Sequence, residues 1–106
     1  MKQLEELKPN FAPVYAAAMY PELAGICQRH GYALAAHGSL ARDLDLVAIP
    51  WVERPSAPQA VLDEITSTFA VTIVGEPGKK NHGRVAHTLS CGWGHCSIDL
   101  SFMPCN

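Results

Sequence analysis

The chain has 106 residues, 48% of them hydrophobic and 17% charged, a length that suits one domain and is too short for two with useful cores. Its formal net charge of −2 at pH 7 argues against a protein that holds nucleic acid by bulk electrostatics, so any phosphate contact is expected to be local. No apolar run approaches the ~20 residues of a bilayer span, and the N-terminal Met-Lys-Gln-Leu-Glu-Glu-Leu-Lys stretch lacks the apolar block of a secretory signal; a soluble, cytoplasmic protein without a membrane partner is expected.

In chain order, residues 1–12 read as a peripheral segment. After an alanine-rich stretch, Tyr20-Pro21-Glu22 reads as the start of a helix, with proline in the first turn and an acid near the positive end. Leu23, Ile26 and Cys27 follow at helical spacing, and Gly31 is its natural stop. Tyr32 to His37 reads as a short buried strand ended by a turn at Gly38-Ser39, and Asp43 to Pro50 as a second strand, apolar apart from its two carboxylates. Pro55-Ser56-Ala57-Pro58 breaks the chain before a second helix over Pro58 to Thr68, where Val61, Ile65 and Thr68 keep the period. Ala70 to Val74 is a β-branched strand, Gly75 to Gly83 a turn-rich basic loop, and Arg84 to Ser90 extended again. Gly92-Trp93-Gly94 signals a hairpin. Cys96 to Met103 then alternates, with Ser97, Asp99 and Ser101 on one face and Ile98, Leu100 and Phe102 on the other. The order α-β-β-α-β-β-β predicts an α+β domain, a mixed β-sheet with helices packed on one face.

The chemistry concentrates in three acids. Asp43 and Asp45 are one residue apart on a strand, so both carboxylates point the same way from Cα atoms ~6.6 Å apart. Carboxylates on an otherwise apolar strand cost several kcal/mol unless a positive charge compensates them, and a hard divalent metal is the usual partner of all-oxygen ligands. Asp99 joins them if its strand neighbours theirs. Three convergent aspartates suit a two-metal phosphoryl-transfer site with cations roughly 4 Å apart. Just upstream, Gly38 permits close backbone approach and the Ser39 hydroxyl is placed to hold phosphate oxygens.

Gly38-Ser39, then Asp43-Leu44-Asp45-Leu46-Val47, then Ile98-Asp99-Leu100 resemble the motifs of the polymerase-beta-type nucleotidyltransferase superfamily, in particular its minimal single-domain members. The likeness spans about Tyr20 to Pro104. It implies a nucleotidyltransferase-like sheet and a metal-dependent enzyme that moves a nucleoside monophosphate from a nucleoside triphosphate to an acceptor hydroxyl and releases pyrophosphate. It implies that Asp43, Asp45 and Asp99 are the catalytic and metal-binding residues for two Mg²⁺ ions, with Mn²⁺ as the alternative, that Asp99 helps deprotonate the acceptor, and that Ser39 contacts the triphosphate. Only Leu40, Ala41 and Arg42 separate Gly-Ser from the Asp pair, a shorter turn than the family's usual one. The chain also lacks the extra domain that many members use to hold the acceptor, which points to a homodimer or a partner protein for that role.

Charge compensation for a triphosphate is expected from Lys80, His82 and Arg84 in the basic loop, together with Lys79, and from Arg42; a solvated turn is the competing reading of that loop. His37 reads as a hydrogen-bonded strand-end histidine or a phosphate donor. Against the enzyme stands an inactive nucleotide-binding or protein-interaction module on the same fold. His87, Cys91, His95 and Cys96 are zinc-compatible residue types at poor spacing, and the four cysteines are expected as free thiols, Cys27 and Cys96 packing in the core. Trp51 and Trp93 are expected to cap the core.

Overall fold

A computed structural model describes residues 12–92 and 97–105. The order is α1 (Ala12–Arg29), β1 (Tyr32–His37), β2 (Leu44–Pro50), α2 (Pro58–Thr68), β3 (Thr72–Lys79), β4 (Val85–Ser90) and β5 (Ser97–Phe102), with a short 3₁₀ turn at Asn81–Gly83. The strands form one mixed sheet in the order β1-β2-β5-β4-β3. β2 runs parallel to β5, and every other pair is antiparallel. Two helices on a five-stranded sheet confirm the expected α+β class.

The core follows from two periodicities. Leu23, Ile26 and Cys27 of α1 and Val61, Leu62 and Ile65 of α2 are buried, and they meet the alternate residues Leu44, Leu46 and Ala48 of β2, Leu89 of β4, and Ile98 and Leu100 of β5. Each fully buried Leu or Ile contributes about 1.5–3 kcal/mol of transfer free energy. α2 starts where Pro58 pre-sets φ at its first position and Ala57 is extended, and it ends with the Phe69 N–H donating to the Ile65 carbonyl at 2.9 Å.

Two elements differ from the sequence reading. α1 runs through Tyr20-Pro21 instead of starting there. Pro21 removes one backbone donor, but it lies on the exposed face, and the buried Leu23, Ile26 and Cys27 hold the helix on the sheet beyond it. The stretch assigned to a loop after Val74 is mostly strand: β3 continues to Lys79 across a register shift between Val74 and Gly78. β3 is an edge strand exposed along nearly its whole length, where Pro77 and a bulge cost no ladder partner.

Further differences are local. Ser101, assigned to a polar face, is 1% exposed, and Trp51 is 78% exposed instead of capping the core. Cys27, Cys91 and Cys105 are free, with Cys27 buried. Trp93, His95, Cys96 and most of the expected hairpin at Gly92-Trp93-Gly94 lie outside the described residues. No helix among the described residues is long and apolar enough to cross a membrane.

Candidate functional site

With the helices packed against Leu44, Leu46 and Ala48, strand alternation turns Asp45, Val47 and Ile49 to the opposite, open face. The register then decides what meets them. Asp45 pairs with Asp99 across the parallel β2–β5 ladder and with His37 across the antiparallel β1–β2 ladder. Cross-strand partners share a face, and neighbouring strands lie ~4.8 Å apart. His37, Asp45 and Asp99 therefore form a row across three strands, and the β4 partner of Asp99, Thr88, extends it. Thr88 Oγ1 donates to Asp99 Oδ1 at 3.4 Å.

Asp43 lies two residues before Asp45, in the turn that enters β2, and its Oδ1 accepts the Ser97 N–H at 3.1 Å. That bond ties the start of β5 to the turn. Burial pushes the Asp45 carboxyl above its ordinary value, the negative charges of Asp99 and Asp43 push the same way, and the positive charges of His37 and Arg84 partly offset them. Asp45 and Asp99 thus share one face, and Asp43, which the spacing placed on the same strand, lies in the turn before it and acts on Asp45 through its charge. Among the described residues, no group of three or more His, Cys, Asp or Glu side chains is arranged to hold a metal ion. All-carboxylate donors suit Mg²⁺, and any such ion would need oxygen ligands beyond those the chain supplies.

The Gly38-Ser39 turn sits at the end of β1, over Asp45. Gly38 has φ +77°, and a Cβ there would stand 2.6 Å from Asp45 Oδ2. Leu40 also has a positive φ, 54°. Ser39 is exposed, and its Oγ accepts the Ala41 N–H at 3.2 Å. Two left-handed residues and this small hydroxyl-capped turn let three residues reverse the chain between Ser39 and Asp43.

The basic residues separate into two groups. Arg42 is exposed in the turn beside Asp43. Lys80 and His82 are exposed in the β3–β4 connection at the other end of the sheet, where Val85 pairs with Phe102, about 10 Å along β4 from the level of Thr88 at ~3.3 Å per residue. The Lys80 N–H donates to the Arg84 carbonyl at 2.7 Å, which closes that connection. Arg84 starts there too, but its side chain returns to the open face: its guanidinium donates to Ser101 Oγ at 2.8 Å, and Ser101 Oγ donates to the Leu46 carbonyl at 3.3 Å. The structure therefore brings Gly38, Ser39, Arg42, Asp43, Asp45 and Asp99 to one end of the sheet, with Arg84 reaching toward them; Lys80 and His82 are not brought there.

Below the acid row the open face hollows into a cleft of about 750 Å³, lined by His37, Arg84 and Glu53 and by apolar residues that include Val47, Ile49, Pro50, Val52 and Met103. Part of its lining comes from strands β1 and β2 and the rest largely from segments without a motif, the chain leaving β2 and the residues after β5. Ser101 gave no sequence signal beyond its place on the acid face. On the helix side, His87 packs edge-on against Phe102, with ring centroids 5.7 Å apart, and burial lowers its pKa.

Comparison with family models, with curated proteins and with solved structures returns no match.

Proposed function

We propose that this chain is a metal-dependent nucleotidyltransferase that moves a nucleoside monophosphate from a nucleoside triphosphate to an acceptor hydroxyl. The observation that carries the reading is the register pair Asp45–Asp99, with Asp43 two residues away and Gly38 closing over Asp45 Oδ2. Asp45 and Asp99 side by side on an open sheet face, with Asp43 in the adjoining turn and a tight Gly-Ser turn beside them, would supply charge for cations and a place for phosphate oxygens.

In this reading Gly38, Ser39 and Arg42 hold the triphosphate, and Arg84 adds positive charge from the middle of the face. Lys80 and His82 belong to the same nucleotide-binding set only for a ligand long enough to reach the far end of the sheet. The acceptor hydroxyl oxygen attacks the α-phosphorus, the bond from that phosphorus to the bridging oxygen of the leaving pyrophosphate breaks, and the hydroxyl proton passes to the Asp99 carboxylate. Asp43, Asp45 and Asp99 would hold two Mg²⁺ or Mn²⁺ ions, with phosphate oxygens completing the ligand set; such ions neutralise charge on the attacking and leaving oxygens. The chain's own contribution is positioning, which accounts for most of the rate in phosphoryl-type transfer.

A second reading, a nucleotide-binding or protein-interaction module without turnover, draws on the Asp43–Ser97 hydrogen bond, which engages one of the three acids within the fold. Thermal unfolding with Mg²⁺ and each nucleoside triphosphate, run beside a pyrophosphate-release assay, separates the two. A midpoint rise that needs both metal and nucleotide and is lost in the Asp43→Asn, Asp45→Asn double variant is expected. A rise without pyrophosphate release selects the module. No rise in any combination overturns both nucleotide readings and leaves an interaction protein.

A further inference from the structure

Arg84 is half-buried, and among the described residues the ion pairs are those of Glu64 with Arg29 and His30, so no described carboxylate lies within ion-pair distance of Arg84. Its guanidinium is nevertheless held in place, because the Ser101 hydroxyl that accepts from it is 1% exposed and is itself bonded to the Leu46 carbonyl. A fixed cation with no ion-pair partner among the described residues, lining an apolar-walled cleft, suits one anionic group. The carboxylate that lines the same cleft, Glu53, is exposed in the segment that leaves β2, beyond Val52. Between them Val47, Ile49, Pro50, Val52 and Met103 form an apolar wall, and the volume of about 750 Å³ is that of a small-molecule site.

The acids lie on the same face. Ser101, which holds Arg84, and Asp99 are alternate residues of β5, ~6.6 Å apart. A ligand whose anionic group sits on Arg84 would therefore carry a hydroxyl to Asp99 only if the two groups are separated by a few bonds, and its remaining body would run along the apolar wall away from the triphosphate turn.

We infer that this cleft is the acceptor site and takes a small hydroxy acid with an apolar tail, its carboxylate on Arg84, its nearby hydroxyl toward Asp99 and its tail against Val47, Ile49 and Val52. The inference rests on the transfer reading above for the word acceptor, but binding itself needs neither metal nor nucleotide.

The test is a titration of the full chain with 3-hydroxyoctanoate, followed by backbone amide shifts in the absence of metal and nucleotide, beside 1,3-octanediol and octylamine as uncharged and cationic controls. Saturable shifts confined to residues 47–53 and 101–105 are expected, with both controls at least about tenfold weaker, the loss of one charge-assisted contact. Arg84→Gln should weaken 3-hydroxyoctanoate by about tenfold or more and leave the diol unchanged. Val52→Asp, at a half-exposed position, should weaken both.

Equal binding of octylamine, indifference of the acid to Arg84→Gln, or absence of saturable shifts overturns the inference. Saturable, Arg84-dependent binding without nucleotide incorporation from any Mg²⁺-nucleoside triphosphate overturns the acceptor role. A metal- and nucleotide-dependent thermal shift with no hydroxy-acid binding overturns the cleft assignment alone and points to a macromolecular acceptor. Loss of that thermal shift removes the transferase reading whatever the cleft binds.

Discussion

Gly38 meets two demands at once. Its φ of +77° is a conformation that costs an L-residue roughly 1–2 kcal/mol, and a Cβ at that position would stand 2.6 Å from Asp45 Oδ2. The sequence singles out this glycine for close approach to a phosphate; in the fold its close neighbour is a carboxylate of the acid row. Gly38→Ala is expected to destabilise the protein by about 1–2 kcal/mol, and because the carboxylate is the mobile partner in the clash, Asp45 must rotate away. Metal-dependent nucleotide binding should then fall further than the stability loss alone explains. Urea unfolding and Mg²⁺-nucleotide titration of the same variant check the two parts; a full loss of stability with intact nucleotide affinity would separate Gly38 from the site. Gly75, with φ +72° and no atom near its missing Cβ, offers a control in which only the backbone cost appears.

Between elements, the junction of α1, the loop after β2 and α2 is locked by a polar cluster far from the acid row. His30 joins Ser56 Oγ through Nδ1 and Glu64 Oε1 through Nε2, each at 2.8 Å, Arg29 also pairs with Glu64, and the Tyr32 hydroxyl donates to the Ser56 carbonyl at 2.6 Å. An ionised carboxylate only accepts, so Nε2 carries a proton. Hydrogen bonds from Arg29 and then His30 hold the Glu64 carboxyl below its ordinary value. A carboxylate with a depressed folded pKa stabilises the fold above the unfolded value and loses that stabilisation as pH falls through the folded one. Glu64→Gln is therefore expected to lower the urea midpoint at neutral pH and to reduce the loss of stability on acidification, read as converging wild-type and variant midpoints near pH 3. Parallel curves would show that the cluster contributes nothing through its charge.

The same scale shows which elements the sequence can announce. α2 and β1 match their expected bounds: Pro58 marks the start of one and its apolar period runs to its last turn, while Gly31 and Gly38 bracket the other. α1 and β3 were harder, because proline and glycine there sit on exposed positions that tolerate them, and local chemistry cannot tell an exposed helix face or an edge strand from a break. The acid row was legible from period-two spacing plus one assumption, that the strand of Asp99 adjoins that of Asp45. The cleft was not, since strand alternation places Val47 and Ile49 on its face but Val52, Glu53 and Met103 come from segments without a periodic pattern, and the unequal roles of Arg84 and Lys80 depend on a side-chain direction that spacing does not carry.

For the whole molecule, packing both helices on one face leaves a sheet whose other side carries acids at one end and apolar surface beyond, with Ile49, Trp51 and Val52 exposed. The arrangement concentrates negative charge, and its cost is readable in the pH dependence of stability. Asp45 has a raised folded pKa, chiefly from burial and then from Asp99, so the folded state gives up that proton at a higher pH than the unfolded chain does. By linkage, its contribution to stability falls as pH rises from the ordinary carboxylate value of ~3.9 through the raised one. Without metal, Asp45→Asn should escape that loss, and its melting temperature should exceed that of the wild type by a few degrees at neutral pH but not at about pH 3. With Mg²⁺ and nucleotide the order should reverse at neutral pH, because an ion held by the acids relieves the repulsion only where Asp45 remains. Protons and metal compete for one carboxylate, so the metal-dependent rise should fade on acidification at a higher pH than an ordinary aspartate would dictate. Melting curves from about pH 3 to pH 8, with and without Mg²⁺-nucleotide, test both signs together. A variant stabilised under every condition would mean that the acids repel one another in the fold and hold no cation there.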